Sequence, residues 1–351
     1  MKLTTALKSM TAIATVVTVF GSAAFAQEEQ DLRLRMHAAH ATQTPVIGTI
    51  VPWVADRIEV LSGDTLEIDV FEPGALVPGT EFFDAVSQGA IDMAYGTPGY
   101  GSGLVPALSA FTSVPFGPDA TELLTWMNNG GGYEIFDRIL ADLNLKGFVC
   151  TLNPPETSGW FNEEINTVED LKGKKLRYFG LGGKVLSKAG ASVQLIPGGE
   201  VYAALERGVI DGGEFSNPSA DENMGFYEVA KYAYFPGWHQ QTSVNAVYVN
   251  LDTWNKMSER QQLAIETACG EATLKTLSEG SATQGPALAR MAENGAEFKV
   301  WPDEVLDELR TQWATVVEEE SASDPLFMEV MDSLTAFRAE YKPWNDMGYI
   351  Q

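Results

Sequence analysis

The chain has 351 residues, with 48 acidic against 23 basic side chains and a formal net charge of -25. So acidic a balance excludes nucleic acid and anionic membrane surfaces as partners, and it leaves any anionic ligand to be attracted by a few local cations. Two cysteines, Cys150 and Cys269, are too few for a disulfide framework and leave open either one disulfide or two buried thiols.

At the amino terminus, Lys2 and Lys8 precede an uncharged stretch from Met10 to Phe20, and the segment ends in Ala24-Phe25-Ala26. This is the pattern of a cleaved secretory signal, so residues 1–26 are expected to be removed and the product exported. The remaining 325 residues would carry a charge of -27, since Lys2 and Lys8 leave with the signal. No later segment approaches the ~18 consecutive apolar residues of a membrane span, so no direct membrane insertion is expected. A chain of that length exceeds one compact core and fits two lobes.

In chain order, the stretch 44–63 reads as a helix ending near Gly63, and Leu66 to Gly74 alternates as a strand. The next segment repeats later in the chain. LVPGTEFFDAVSQGAID, from Leu76 to Asp92, matches LIPGGEVYAALERGVID, from Leu195 to Asp211, without a gap at an offset of 119. The shared residues are Leu76, Pro78, Gly79, Glu81, Ala85, Gly89, Ile91 and Asp92 with their counterparts. Each copy reads as a Pro-Gly turn, about two and a half helical turns, a glycine closing the helix and a short strand. Two such units define two similar α/β lobes, and the spacing is far too long for a solenoid.

Each copy is followed by a loop, starting at Met93 in one lobe and Gly212 in the other. Loops at matching strand ends of two lobes face a shared cleft, the usual ligand position in open α/β sheets. That places Glu214 on one wall and Tyr95 with Tyr100 on the other. Between the copies, Lys174 to Gly180 reads as a strand carrying Arg177. A guanidinium fixed there can take a carboxylate bidentately, or serve a structural ion pair. The turn that follows, FGLGGK, lacks the third glycine of a dinucleotide fingerprint, whose place falls at Val185.

Glu156, Glu214 and Gln240 supply oxygen ligands of the kind a hard cation such as Na⁺ or Ca²⁺ takes. His37, His40 and His239 have no metal-binding spacing, so zinc is not expected. GYGSG at Gly99 to Gly103 lacks the setting of a nucleophile elbow, and the adjacent Asp221 and Glu222 carry little information, so catalysis is not expected. Late in the chain, Ser258 with Gln261 forms a capping box opening a helix toward Asn294, with a kink expected at Gly285-Pro286. Helical pattern returns from Asp303 to about Tyr341.

These features resemble the solute-binding receptors of tripartite ATP-independent periplasmic (TRAP) transporters, most closely the subgroup that captures 2-oxo monocarboxylates. The most specific segments are GWFNEEINTVEDLKGKKLRYFG, LERGVIDGGEF, MGFYEVAKYAYFPGW and VPFG at Val114 to Gly117. The resemblance implies a periplasmic two-lobed α/β binding protein, with mixed sheets flanked by helices, hinged lobes and a long late helix bridging them. Lobe one would hold 27–153 with about 243–282, and lobe two 154–242 with about 283–351.

It further implies capture of a small organic-acid anion for TRAP membrane subunits, with a homodimer possible. A ligand-binding partner of a sensor system, or a secreted metal-dependent enzyme acting on a carboxylate, is the alternative. Arg177 would pair with the substrate carboxylate, joined by Glu156, Tyr100 and Asn217 as substrate contacts. A Na⁺ or Ca²⁺ would bridge substrate and protein through Glu156, Glu214, Gln240 and the carbonyl of Phe215. Two departures stand out: Phe215 replaces the usual Trp, and acid and amide are exchanged between Glu156 and Gln240.

Overall fold

A computed structural model describes residues 30–348, so the expected signal segment lies outside the described residues. The strands are β1 (Leu32–Ala38), β2 (Leu66–Phe71), β3 (Met93–Gly96), β4 (Leu145–Asn153), β5 (Trp160–Phe161) and β6 (Lys175–Arg177). They continue with β7 (Ser192–Gln194), β8 (Gly212–Gly213), β9 (Tyr232–Phe235), β10 (Ser243–Asn250) and β11 (Glu297–Val300). They form two mixed sheets, ordered β2-β1-β3-β10-β4 and β11-β9-β5-β8-β6-β7. Each is flanked by helices, which gives the two-lobed α/β architecture. β10 is buried at all eight positions, as a central strand covered on both faces requires.

The internal repeat extends beyond the segment legible in sequence. β1 pairs in parallel with β2 and β3, and β6 pairs in parallel with β7 and β8, so the orders β2-β1-β3 and β7-β6-β8 match. The aspartate closing each copy does the same work twice: Asp92 accepts from the backbone N–H of Arg35 at 3.0 Å, and Asp211 from that of Lys175 at 2.7 Å. Gly89 and Gly208 end their helices at φ +71° and +65°, where a side chain would be strained. The helices, Phe82–Ser87 and Val201–Glu206, are shorter than the expected two and a half turns.

Other elements fall close to expectation. The first helix is Ile50–Ser62, ending at Gly63 with φ +66°. The capping box is present: Gln261 N–H donates to Ser258 Oγ at 3.2 Å and Ser258 N–H to Gln261 Oε1 at 3.0 Å. It opens a helix, Glu259–Glu293, that continues through Pro286 without interruption. Its 35 residues make it about 52 Å long. The late helical pattern divides into Asp303–Ser323 and Pro325–Gly348, because Pro325 cannot continue the first helix.

Three crossings join the sheets: β4 leads into β5, β9 into β10, and the long helix into β11. Along that helix, Ile265, Ala268 and Ala272 pack on the first sheet while Ala287 and Met291 are buried beyond it, Met291 among second-lobe side chains. Cys150 of β4 and Cys269 of the helix form a disulfide. The final helix departs from the expected grouping of 283–351. Ser333 accepts from Trp126 Nε1, and Glu329 and Arg338 pair with Arg138 and Glu122, all on first-lobe helices.

Candidate functional site

β6 ends at Arg177 and β8 at Gly213, and their register places the two side by side, with Glu214 next along. Arg177 is 2% exposed, Glu214 0% and Glu156 2%, so three charged groups share one desolvated seam. Arg177 Nε donates to the Ile196 carbonyl at 3.1 Å, and Nη1 donates to the Glu214 carbonyl at 2.5 Å and to Glu214 Oε1 at 2.9 Å. Phe179 N–H adds a 2.6 Å bond to the same Oε1, while Glu214 Oε2 is buried without a partner. The guanidinium is thereby held at both Nε and Nη1, which leaves Nη2 for a ligand.

The first lobe carries different chemistry at the equivalent register. His37 pairs with Ala94 as Arg177 pairs with Gly213, and Tyr95 stands where Glu214 stands. Tyr95 is buried and bonds Thr151 Oγ1 at 2.6 Å. The charged pair therefore belongs to one lobe only.

Glu156 and Gln240 come from the crossing segments. Glu156 Oε2 accepts from Gln240 Nε2 at 2.9 Å and Oε1 from Ser243 Oγ at 2.8 Å. Gly237 is required for this approach, since a Cβ there would lie 2.1 Å from the Glu156 carbonyl oxygen. Burial pushes the Glu156 carboxyl well up, and the charge of Glu214 pushes it further. Burial raises Glu214 too, opposed mainly by Arg177. Two buried carboxylates beside one guanidinium, with an acceptor oxygen left over, fit a small cation set between them.

His239 was given no metal role in the sequence, yet the fold brings it in. Its Nε2 stands 3.8 Å from Glu156 Oε2, and one ligand atom from each of Glu156, Glu214 and His239 lies within 4.8 Å of the others. Burial, reinforced by Arg177, lowers its pKa to about 3, so the ring is neutral.

A cavity of about 40 Å³ lies here, lined by Arg177, Glu156, Gln240, Tyr100 and Phe215 from the expected set, while Glu214 and Asn217 do not line it. His40, Asn153, Ser243 and Asn245 also line it and were missed; only Asn245, a polar residue inside the β10 run, carried a signal in the sequence. His40 Nε2 lies 3.2 Å from Asn245 Oδ1. Burial raises the Tyr100 phenol to about 12, which keeps it a donor. Rings of the two lobes meet across the seam, Tyr100 with Phe179 at 5.4 Å and His40 with Phe215 at 6.4 Å.

One expected contact goes elsewhere. Asn217 caps the helix Pro218–Met224, its Oδ1 accepting from Ala220 N–H at 3.1 Å and Ser219 Oγ at 2.8 Å. Trp160, in one of the segments most specific to the resemblance, is fully buried and donates to Asp221 at 2.9 Å.

Two mixed-sheet lobes with a desolvated polar site in their seam define a solute-binding protein. The chain belongs to the bacterial extracellular solute-binding protein family 7, whose profile matches residues 36–324. It is 36% identical over 292 residues to a monocarboxylate 2-oxoacid-binding periplasmic protein of Nostoc sp., covering 83% of this chain and 80% of that one.

Among solved structures, a TRAP transporter solute-binding protein from Bordetella bronchiseptica superposes with a TM-score of 0.88 at 31% identity, covering 90% and 94% of the two chains. It is described as a dimer with calcium and picolinate in the occupied site. One from Pseudoalteromonas atlantica, with sodium and pyruvate, gives 0.86 at 28% identity and covers 90% and 96%. The chain is a TRAP solute-binding receptor of the 2-oxo monocarboxylate subgroup.

Proposed function

We propose that this receptor, exported to the periplasm, captures a small 2-oxo monocarboxylate in the seam between its lobes and presents it to TRAP membrane subunits. The observation that carries this reading is the pair of buried carboxylates, Glu156 and Glu214, beside a single locked guanidinium. Arg177 takes the ligand carboxylate through its free amine, and the Tyr100 phenol donates to the same anion. Glu156, Glu214, the Gln240 side-chain oxygen and the Phe215 carbonyl would hold Na⁺ or Ca²⁺. When bound, that ion would supply positive charge for the anionic ligand. Asn217 acts at one remove, by capping the helix Pro218–Met224 that follows Phe215.

A ligand touching Arg177 in one lobe and Tyr100 in the other favours the closed form by its differential affinity for it. Occupancy thereby becomes a shape that membrane subunits can recognise. A homodimer belongs to the same reading, since the Bordetella relative is a dimer. Calorimetric titration with pyruvate in the presence of Ca²⁺ or Na⁺ tests the reading. One-to-one binding that is lost without the ion supports it, and ion-independent binding or none overturns it.

A further inference from the structure

Beyond the small inner cavity, the cleft mouth opens into a chamber of about 420 Å³. His40, Tyr100 and Phe215 line both spaces and form an aromatic collar between them. A water takes about 10–15 Å³ by the same measure, so the inner cavity has room only for a head group of a few heavy atoms. The chamber is tenfold larger, and the two repeat copies build it together: the Pro78 turn of one lobe faces the Pro197 turn of the other.

Its walls are apolar at Pro73, Pro78, Pro197 and Met224, and among the described residues neither a Lys nor an Arg lines it. Its charged groups are Glu72 and Glu200. Glu72 is fixed in place, accepting from Thr42 N–H at 3.1 Å and from the Thr42 hydroxyl.

We propose that this chamber is the subsite for the ligand's carbon chain, so that the receptor prefers 2-oxo monocarboxylates bearing an uncharged tail of several carbons and turns away dicarboxylates. The assignment rests on the head-group site described above. An aliphatic tail passing the collar gains burial against prolines and Met224, whereas a second carboxylate meets Glu72 and Glu200 with no cation to answer it.

The test is calorimetry with Ca²⁺ and pyruvate, 2-oxobutyrate, 2-oxopentanoate, 2-oxohexanoate and 2-oxoglutarate. Affinity is expected to rise about three- to fourfold per added methylene, roughly 30-fold or more from pyruvate to 2-oxohexanoate, with 2-oxoglutarate weaker than 2-oxopentanoate. Two variants fill the chamber away from the head group. A Cβ at Gly199 meets nothing within 4 Å, so Gly199→Phe adds bulk without a clash at its base, and Met224→Trp enlarges a wall. In both, pyruvate affinity should stay within about twofold while the chain-length gain falls below about threefold.

Pyruvate binding with a flat or falling gradient in the natural chain removes the tail subsite and leaves the head-group reading intact. A gradient that survives both variants also overturns the subsite. If no 2-oxo acid binds at any length, both readings fall together.

Discussion

Replacing Arg177 by Met separates the structural role of the buried pair from its role in binding. Arg177 is 2% exposed and Glu214 0%, and Glu214 Oε2 already lacks a partner, so the variant leaves a buried carboxylate with only the Phe179 N–H. Breaking a buried pair by removing one member costs about 3–5 kcal/mol. At about 2–4 °C per kcal/mol, the ligand-free melting point should fall by at least about 6 °C.

Adding Glu214→Gln removes the stranded charge, so the double variant should regain most of that loss, because deleting both members of such a pair is often near neutral. Ligand affinity should not return. A carboxylate deprived of its desolvated guanidinium loses about 3 kcal/mol, so both variants should bind pyruvate at least about 100-fold more weakly in Ca²⁺-saturated calorimetry. A single variant that melts within 2 °C of the natural chain, or a double variant that binds normally, would refute the assignment of Arg177 as both lock and ligand contact.

Further outcomes follow from the same site. Because burial holds the Glu156 carboxyl well above the usual carboxylate range, protons compete with Ca²⁺ for it and Ca²⁺ affinity should weaken as pH falls; a calorimetric affinity that does not change with pH would count against it. His239 titrates at about 3 in the fold against about 6.5 unfolded, so as pH drops below 6.5 the unfolded chain takes the proton first and stability is lost down to pH 3.

Between pH 7 and 5 the ion-free natural chain should lose about 2 kcal/mol more than His239→Asn in urea unfolding. Parallel curves for the two would show that His239 protonates freely. Gly237→Ala, whose Cβ would stand 2.1 Å from the Glu156 carbonyl oxygen, should lower both the melting point and Ca²⁺ affinity, and retention of full affinity would show that the backbone gives way without moving Glu156.

What the sequence made legible was local or repeated. The Pro-Gly turns, the closing glycines at 89 and 208 and the Ser258–Gln261 box are set by neighbouring residues, and each is present in the fold. Arg177 could be found because a charged residue in an apolar strand run is conspicuous. The equivalence of His37 with Arg177 was hidden, since it rests on strand register and those segments share no sequence likeness. His239 was passed over because spacing along the chain says nothing of Glu156, which reaches it from the other crossing segment. Asn217 shows a competing local demand: an Asn before a Pro at a cleft loop caps a nearby helix end through its Oδ1.

The bond between Cys150 and Cys269, 119 positions apart, encloses the chain from β4 to the long helix in a covalent ring. β5 to β9, the greater part of the second sheet, lie inside that ring. Even when this half melts, the two cysteines that close the ring stay joined on the other half. For a ring of that size the restriction on the denatured chain amounts to about 5 kcal/mol in the chain-entropy description. An oxidised molecule can thus lose the shape of its capturing half and still have it leashed where it must rebuild.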